Sequence, residues 1–145
     1  MSGYFFSPSF PGYYFGDITC TWHITVLSGY VIHLEFQEFR LKDHPMCENC
    51  FLQIFDGRDR SAPAIGRFCG YAYPPVFVSS ANHFTIVLLC RENFPKARFK
   101  AFYRSMAGMI SFWWAGTNAN ANEGSGFRWD VLASNTENWP SWTKE

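Results

Sequence analysis

The sequence predicts an all-β fold, built as an antiparallel sandwich or barrel. Apolar and polar residues alternate along several segments of strand length, which is the pattern of a strand with one buried face. Pairs of turn-forming residues separate these segments at short intervals, as they do in antiparallel β-proteins. No segment has the three- and four-residue apolar spacing of an amphipathic helix.

Five segments carry the strand pattern. In the first, Trp22 and Ile24 alternate with Thr21 and His23, and a later segment, residues 84–89, is a continuous, partly β-branched apolar run. The predicted strands are residues 20–26, 32–37, 51–55, 84–89 and 98–104. Turn-forming pairs lie between them at Ser28-Gly29, Asp56-Gly57, Cys69-Gly70 and Pro74-Pro75.

Length, charge and hydropathy limit the classes of function. A chain of 145 residues fits one domain with an extension. The formal net charge is zero and there is no basic stripe, so we expect no nucleic-acid partner. No apolar run approaches about 18 residues, so we expect no membrane insertion by this chain. The first residues lack the basic start and apolar run of a signal peptide.

The cysteines leave several kinds of chemistry open. There are five, so at least one has no disulfide partner within an oxidised chain. Cys47 and Cys50 have two residues between them and precede a predicted strand. They form half of a zinc site, a redox pair, or parts of two different disulfides. Zinc ribbons use two close pairs, whereas Cys69 and Cys90 are far apart in sequence. A redox pair would precede a helix, and buried thiols in a cytosolic β-protein stay open as well.

Catalysis finds little support in the sequence. The histidines, His23, His33, His44 and His83, are widely spaced, and the first two fall on the polar faces of predicted strands. There is no His-Glu-x-x-His, Gly-x-Ser-x-Gly or P-loop pattern. We therefore expect no catalytic site in this chain.

A series of short segments resembles the CUB domain family. Ser7-Pro8-Ser9-Phe10-Pro11 forms a Ser-Pro-x-aromatic-Pro turn, and Cys20-Thr21-Trp22-His23-Ile24 follows it as Cys-x-Trp-x-Ile. The later segments, in the same order, are Ile32–Phe39, Cys47 followed by Leu52–Gly57, Ile65–Gly70, Ser79–Asn82 and Arg98–Tyr103. Together they cover residues 3–104.

The resemblance implies a fold and a division of the chain. It implies a two-sheet antiparallel β-sandwich of jelly-roll type over residues 1–104. Residues 105–145 would be an irregular extension, and residues 116–126, GTNANANEGSG, have the composition of a long loop. The extension is interpreted either as a remnant of a second CUB-like module or as a disordered tail.

The resemblance also implies a function. CUB domains are extracellular modules that mediate protein–protein contacts, so we expect a non-catalytic interaction module with a protein ligand. An alternative is an accessory module of a secreted or membrane-anchored protease whose catalytic domain is outside this chain. A small intracellular β-domain stabilised by zinc is a third possibility.

The cysteine assignments follow from the resemblance. The family commonly has four cysteines in two consecutive bridges, and Cys20, Cys47 and Cys69 match the second, third and fourth. The resemblance therefore implies a Cys47–Cys69 disulfide. Cys20 would have no disulfide partner in this chain, because the first family cysteine would lie upstream.

Many CUB domains bind calcium through acidic side chains at one end of the sandwich, and this sequence departs from that pattern. The three ligand positions are occupied by Lys42, Cys50 and Arg91. Calcium requires several oxygen ligands, so we expect no calcium and no other cofactor. Since the positions of Cys50 and Cys90 approach one another around the ion in the family, the resemblance implies a Cys50–Cys90 disulfide.

Two candidate binding surfaces follow. Arg40, Lys42 and Arg91 would form a basic cluster beside the proposed bridge and receive an acidic group of the partner, unless they are only a solvated rim. Tyr71 and Tyr73, beside Pro74-Pro75 and near Phe77, form the second candidate, since Tyr-rich loops make good protein contacts. Ordinary loop packing is the alternative for these aromatic residues.

Overall fold

Alternating burial along the strands divides this chain into two sheets that share one core. The computed structural model describes residues 1–14, 16–91 and 97–107, and the backbone of residues 126–133. The strands are β1 (Ser2–Phe6), β2 (Ile18–Thr25), β3 (Tyr30–Leu41), β4 (Cys50–Phe55), β5 (Ala64–Phe68), β6 (Phe77–Val78), β7 (His83–Cys90), β8 (Ala97–Ala107) and β9 (Gly126–Ala133).

The strands form two antiparallel sheets. The four-stranded sheet has the order β1-β8-β3-β6, and the five-stranded sheet has the order β5-β4-β7-β2-β9. This arrangement confirms the predicted all-β, two-sheet sandwich. All five predicted strands are present, while β1, β5 and β6 were not predicted as strands because they are short or lack a clear alternation.

The extension contributes one strand to the sandwich. Residues 126–133 form β9, which pairs with β2 along its full length, from Ile18 opposite Ala133 to Thr25 opposite Gly126. Residues 108–125 and 134–145 lie outside the described residues, and the loop predicted at 116–126 falls almost wholly among them. The division of the chain at residue 104 stays a prediction. No helix among the described residues is long and apolar enough to cross a membrane.

Aromatic side chains fill the space between the sheets. Trp22 of β2 and Phe99 of β8 are fully buried, and their ring centroids lie 5.2 Å apart in an edge-to-face arrangement. Phe5 of β1 contacts both rings at 5.4 and 5.9 Å. Edge-to-face pairs add about 0.5–1.5 kcal/mol each beyond the burial of their apolar area. This cluster therefore explains why the aromatic-rich composition suits a sandwich.

The Ser-Pro turn is attached to the core by a buried hydroxyl group. The Oγ of Ser7 accepts a hydrogen bond from the backbone N–H of Phe99 at 2.9 Å, and the N–H of Ser7 donates to the Phe99 carbonyl at 3.1 Å. Ser7 is fully buried. The serine thus continues the pairing of β1 with β8 for one residue beyond the end of the strand.

The substitution Ser7→Ala should lower the free energy of unfolding by about 1–3 kcal/mol, because it leaves the buried Phe99 N–H without an acceptor. Urea unfolding of the oxidised chain measures the change. Ser28→Ala, at an exposed turn position, is the control and should stay within about 0.5 kcal/mol of the parent. Equal effects of the two substitutions would contradict the role of the Ser7 hydroxyl.

Candidate interaction surface at the disulfide-bridged end

Two strands of the larger sheet bring a pair of cysteines together at one end of the sandwich. Cys50 is the first residue of β4 and Cys90 is the last residue of β7, and the two are direct partners in the antiparallel register. The structure joins them in a disulfide, and both are almost completely buried. The bridge therefore links the ends of two neighbouring strands, rather than two loops.

The second disulfide joins Cys47 to Cys69. Cys47 lies in the loop before β4 and has a positive φ of 50°, and its N–H donates to the carbonyl of His44. This turn directs Cys47 away from the line of β4, so that two cysteines only three positions apart enter different bridges. The zinc alternative needs these sulfurs as thiolates, whereas the structure places all four in disulfides.

The two remaining predictions about cysteines concern Cys20 and the bridges themselves. Cys20 is a fully buried thiol on the core face of β2. The prediction of disulfide bonding is confirmed by the two bridges among the described residues. Burial of Cys20 follows from its place in the same alternation as Trp22 and Ile24.

Main-chain hydrogen bonds connect the loops around the bridges. The N–H of Leu41 donates to the carbonyl of Gly70 at 2.9 Å, next to the Cys47–Cys69 bridge. The N–H of Arg91 donates to the carbonyl of Asn49 at 2.7 Å, next to the Cys50–Cys90 bridge. We call this region the bridged end: the residues that follow β3 and β7, those that precede β4, and those that follow β5.

The predicted basic residues all lie at the bridged end. Arg40, at the end of β3, is exposed and its guanidinium lies 4.9 Å from the centroid of the Tyr71 ring. Lys42 and Arg91 are exposed on the segments that follow β3 and β7. The structure therefore brings Arg40 and Tyr71 into direct contact and places Lys42 and Arg91 on neighbouring segments of the same end.

The predicted aromatic residues separate into two groups. Tyr71 and Tyr73 are exposed, at 63% and 58% of their surface. Phe77 lies on β6 and packs against Phe68, with ring centroids 5.5 Å apart. Phe77 thus belongs to ordinary packing, and only the two tyrosines are available to a partner.

The bridged end carries no carboxylate at the three positions that the family resemblance assigns to calcium ligands. Of the three family ligand positions, two hold exposed cationic side chains, Lys42 and Arg91, and the third is Cys50, whose sulfur is bonded to Cys90. Asp43 packs over Gly70, where an added Cβ would lie 2.8 Å from its Oδ1. Calcium requires six to eight oxygen ligands, and carboxylates are absent from all three positions. The neighbouring Glu92 lies outside the described residues.

The comparisons with known proteins agree with this architecture. The family model described as CUB domain matches residues 1–103. The chain belongs to the CUB domain family. Homo sapiens cubilin is 35% identical to it over 101 residues, which cover 70% of this chain and 3% of cubilin. A bone morphogenetic protein 1 homolog from Strongylocentrotus purpuratus is 37% identical over 107 residues, or 74% of this chain and 17% of that protein.

Solved structures show the same fold. The CUB1-EGF-CUB2 fragment of human MASP-1/3 superposes with a TM-score of 0.64 and 25% identity, covering 74% of this chain and 42% of that one. The full extracellular region of zebrafish Gpr126/Adgrg6 superposes with a TM-score of 0.66 at 23% identity, over 74% of this chain and 14% of that one. The chain thus spans less than half of each of these larger proteins.

The family assignment confirms the predicted resemblance and its coarse functional meaning. CUB domains are non-catalytic interaction modules of extracellular proteins, and this CUB domain makes up most of the chain. In the relatives that are proteinases, the catalytic domains lie outside the aligned region. Sequence reasoning missed a second group of polar side chains at the opposite end of the sandwich, where Arg58 contacts His23 and His83. The Arg-x-Arg pattern after Asp56-Gly57 was the available signal for it.

Replacing both Cys50 and Cys90 by alanine should lower the free energy of unfolding by about 4 kcal/mol, because the bridge closes a segment with a sequence separation of 40. Alanine is preferred to serine here because a buried hydroxyl would add its own cost. Denaturant unfolding under oxidising conditions measures the loss.

The paired control is Cys47→Ala with Cys69→Ala, whose bridge closes a separation of 22 and should contribute about 3.4 kcal/mol in the same chain-entropy treatment. An unfolding midpoint for the Cys50 and Cys90 variant equal to that of the parent would show that the bridge adds nothing to stability.

Proposed function

We propose that this CUB domain is an extracellular, calcium-independent module that binds an acidic group of a protein partner at its bridged end. The observation that carries the proposal is the replacement of three calcium-ligand positions by Lys42, Arg91 and the Cys50–Cys90 bridge. In calcium-binding CUB domains that end receives a basic side chain of the partner. Cations in place of the carboxylates reverse the sign, so the complementary group is acidic.

Calcium-independence is supported by the geometry of the bridged end. A bound cation would organise this end by drawing two loops together. Here the covalent bridge and the hydrogen bond from Arg91 to Asn49 connect the same segments without an ion. The surface is therefore ordered before a partner arrives, which reduces the entropy lost on binding.

Charge and aromatic character support an acidic protein as the ligand. Arg40, Lys42 and Arg91 carry three positive charges on exposed side chains, against Asp43 and Glu48 in the loop before β4. The guanidinium of Arg40 lies over the Tyr71 ring, and an arginine stacked on a tyrosine is a frequent arrangement at protein interfaces. The exposed Tyr73 extends the same surface by an aromatic ring.

An extracellular location is supported by the two disulfides. Disulfides persist in oxidising compartments and are rare in the cytosol. The same fold occurs in the solved extracellular region of Gpr126/Adgrg6. Both observations favour a secreted protein or the extracellular part of a membrane protein.

A second candidate function is supported by the identity of the relatives. The zinc metalloproteinase nas-39 of Caenorhabditis elegans is 32% identical over 102 residues, or 70% of this chain and 11% of that protein. An accessory CUB module of such a proteinase would use the same bridged end to hold a substrate or a cofactor protein. The catalytic domain would then lie on another part of the parent protein.

Millimolar calcium should leave the thermal unfolding midpoint of the oxidised chain equal to that measured in EGTA, because the three matched ligand positions carry no carboxylate. Differential scanning calorimetry measures the midpoints. A rise in calcium would contradict the proposal, since a ligand that binds only the folded state must raise the midpoint.

The double variant Lys42→Glu with Arg91→Glu should bind an acidic Asp/Glu peptide about tenfold more weakly than the parent, a loss of about 1.4 kcal/mol. Fluorescence anisotropy of the labelled peptide measures the affinity. Arg58→Glu with Arg104→Glu makes the same charge change away from the bridged end, because Arg58 follows β4 and Arg104 lies opposite His33 on β8, and it should weaken binding far less. Equal losses in both double variants would mean that net charge alone controls the binding.

A further inference from the structure

The segment between β5 and β7 exposes a row of large apolar side chains. Four of them, Tyr71, Tyr73, Val76 and Val78, each expose more than half of their surface. Residues 68–82 contain no Asp, Glu, Lys or Arg. Single exposed apolar residues are ordinary, whereas a contiguous, uncharged row of them is typical of an interaction surface. We call these four residues the apolar strip.

The apolar strip follows the edge of β3. At one end of the segment, the carbonyl of Gly70 accepts a hydrogen bond from the N–H of Leu41 at 2.9 Å. At the other end, Val78 is the register partner of His33. The distance along β3 from His33 to Leu41 is about 26 Å at about 3.3 Å per residue. The strip is therefore long and narrow, and it runs from the bridged end along the edge of the four-stranded sheet.

Buried neighbours fix the backbone of this segment before a partner arrives. Pro74 is buried, and Phe77 packs against Phe68 with ring centroids 5.5 Å apart. The N–H of Ser79 donates to the carbonyl of Ile32 at 2.9 Å, and the N–H of Ile32 donates to the Ser79 hydroxyl at 2.8 Å. The backbone is thus held while the four side chains of the strip stay exposed, which reduces the entropy lost on binding.

The segment is poorly suited to pairing with a further β-strand. Pro74 and Pro75 have no N–H to donate, and β6 has only two residues. A partner strand added at this edge would therefore find few main-chain donors. Recognition must depend on the side chains of the strip instead, and large apolar side chains are stabilised by burial against other apolar groups.

The apolar strip is continuous with the basic residues of the bridged end. The guanidinium of Arg40 lies 4.9 Å from the centroid of the Tyr71 ring, so a cation touches the first residue of the strip. Met46, which is also more than half exposed, precedes Cys47, and the bridge from Cys47 to Cys69 connects it to the start of the same segment. Cationic and apolar side chains therefore adjoin one another at this end of the sandwich.

We propose that the apolar strip binds apolar side chains that lie next to the acidic group in the same protein partner. Binding at the strip rests on the proposed function, since the acidic group determines which part of the partner meets the strip. The tyrosines supply large, rigid apolar faces and the valines add branched methyl groups, against which leucine, isoleucine or valine side chains would be buried. The length of the strip matches about eight residues of an extended segment.

Two exposed apolar residues outside the strip provide a matched control. Leu27 lies between β2 and β3, and Ile65 lies on β5. Each exposes 39% of its surface, so replacing both removes two exposed apolar side chains without touching the strip. Because all four substituted positions are exposed, the control and the strip variants should both keep the fold.

The test uses the full oxidised chain and two labelled peptides, with affinities measured by fluorescence anisotropy. Both peptides carry Asp and Glu at one end, and the remaining positions hold leucine alternating with serine in one peptide and serine throughout in the other. The parent should bind the leucine peptide about tenfold more tightly than the serine peptide. Tyr73→Ser with Val76→Ser should remove most of this preference, whereas Leu27→Ser with Ile65→Ser should leave it unchanged.

A charge variant separates the strip from the proposed function. Lys42→Glu with Arg91→Glu should weaken the binding of both peptides by a similar factor and keep the leucine preference, because it leaves the strip intact. A leucine preference with no effect of the charge variant would contradict the proposed function while supporting the strip as an apolar contact.

Other results would overturn the proposal about the strip. Equal affinity of the two peptides for the parent would show that no apolar group is bound, and this result needs no variant to fold. An unchanged leucine preference in Tyr73→Ser with Val76→Ser would place the contact elsewhere, and an equal loss in the control variant would show unspecific hydrophobic binding. A dimer of the parent in sedimentation velocity, dissociated by the strip variant, would assign the strip to a contact between two copies of the chain.

Discussion

The contact between Trp22 and Phe99 joins the two sheets, and the positions of the surface residues follow from it. Trp22 lies on the five-stranded sheet and Phe99 on the four-stranded sheet, with ring centroids 5.2 Å apart. Because successive residues of a strand point to opposite faces, burial of Trp22 places Thr21 and His23 on the outer face of β2. A slip of one residue in register would exchange the core with the surface. The core thus determines which side chains a ligand can reach.

In the proposed function, the bridged end of the sandwich is organised without a metal ion. A cation holds loops through charge and needs carboxylates, which repel one another when the ion leaves. The Cys50–Cys90 disulfide links the segments at the ends of β4 and β7 with no charge requirement. Lys42 and Arg91 can therefore stand where carboxylates would otherwise be needed. The sign of the charge at the bridged end then no longer affects how stably its segments are held together. A positively charged end can therefore bind an acidic partner.

The sequence was sufficient to predict five of the strands, the family and some residues of the candidate site. Alternation identifies β2 and β8 because their buried faces are strongly apolar, but it does not identify β6, which has only two residues. Lys42 was selected by its matched position in the family and Arg40 as its basic neighbour. Tyr71 was selected because tyrosine-rich loops make good protein contacts. The contact of Arg40 with Tyr71 was not predicted, since their segments are brought together by tertiary contacts such as the hydrogen bond from Leu41 to Gly70. The contacts of Arg58 with His23 and His83 were missed because these residues are distant in sequence.

The sequence by itself determined which residues are buried and where the chain turns, and the family resemblance implied that the calcium-ligand positions lack carboxylates. These properties depend on residue type and on spacing within a strand, which are local. Only the tertiary structure decided which loops share an end, how β9 pairs with β2, and which side chains contact the guanidinium of Arg58. Those properties depend on pairing between strands far apart in the chain, and the energy of such pairing comes from the buried core as a whole.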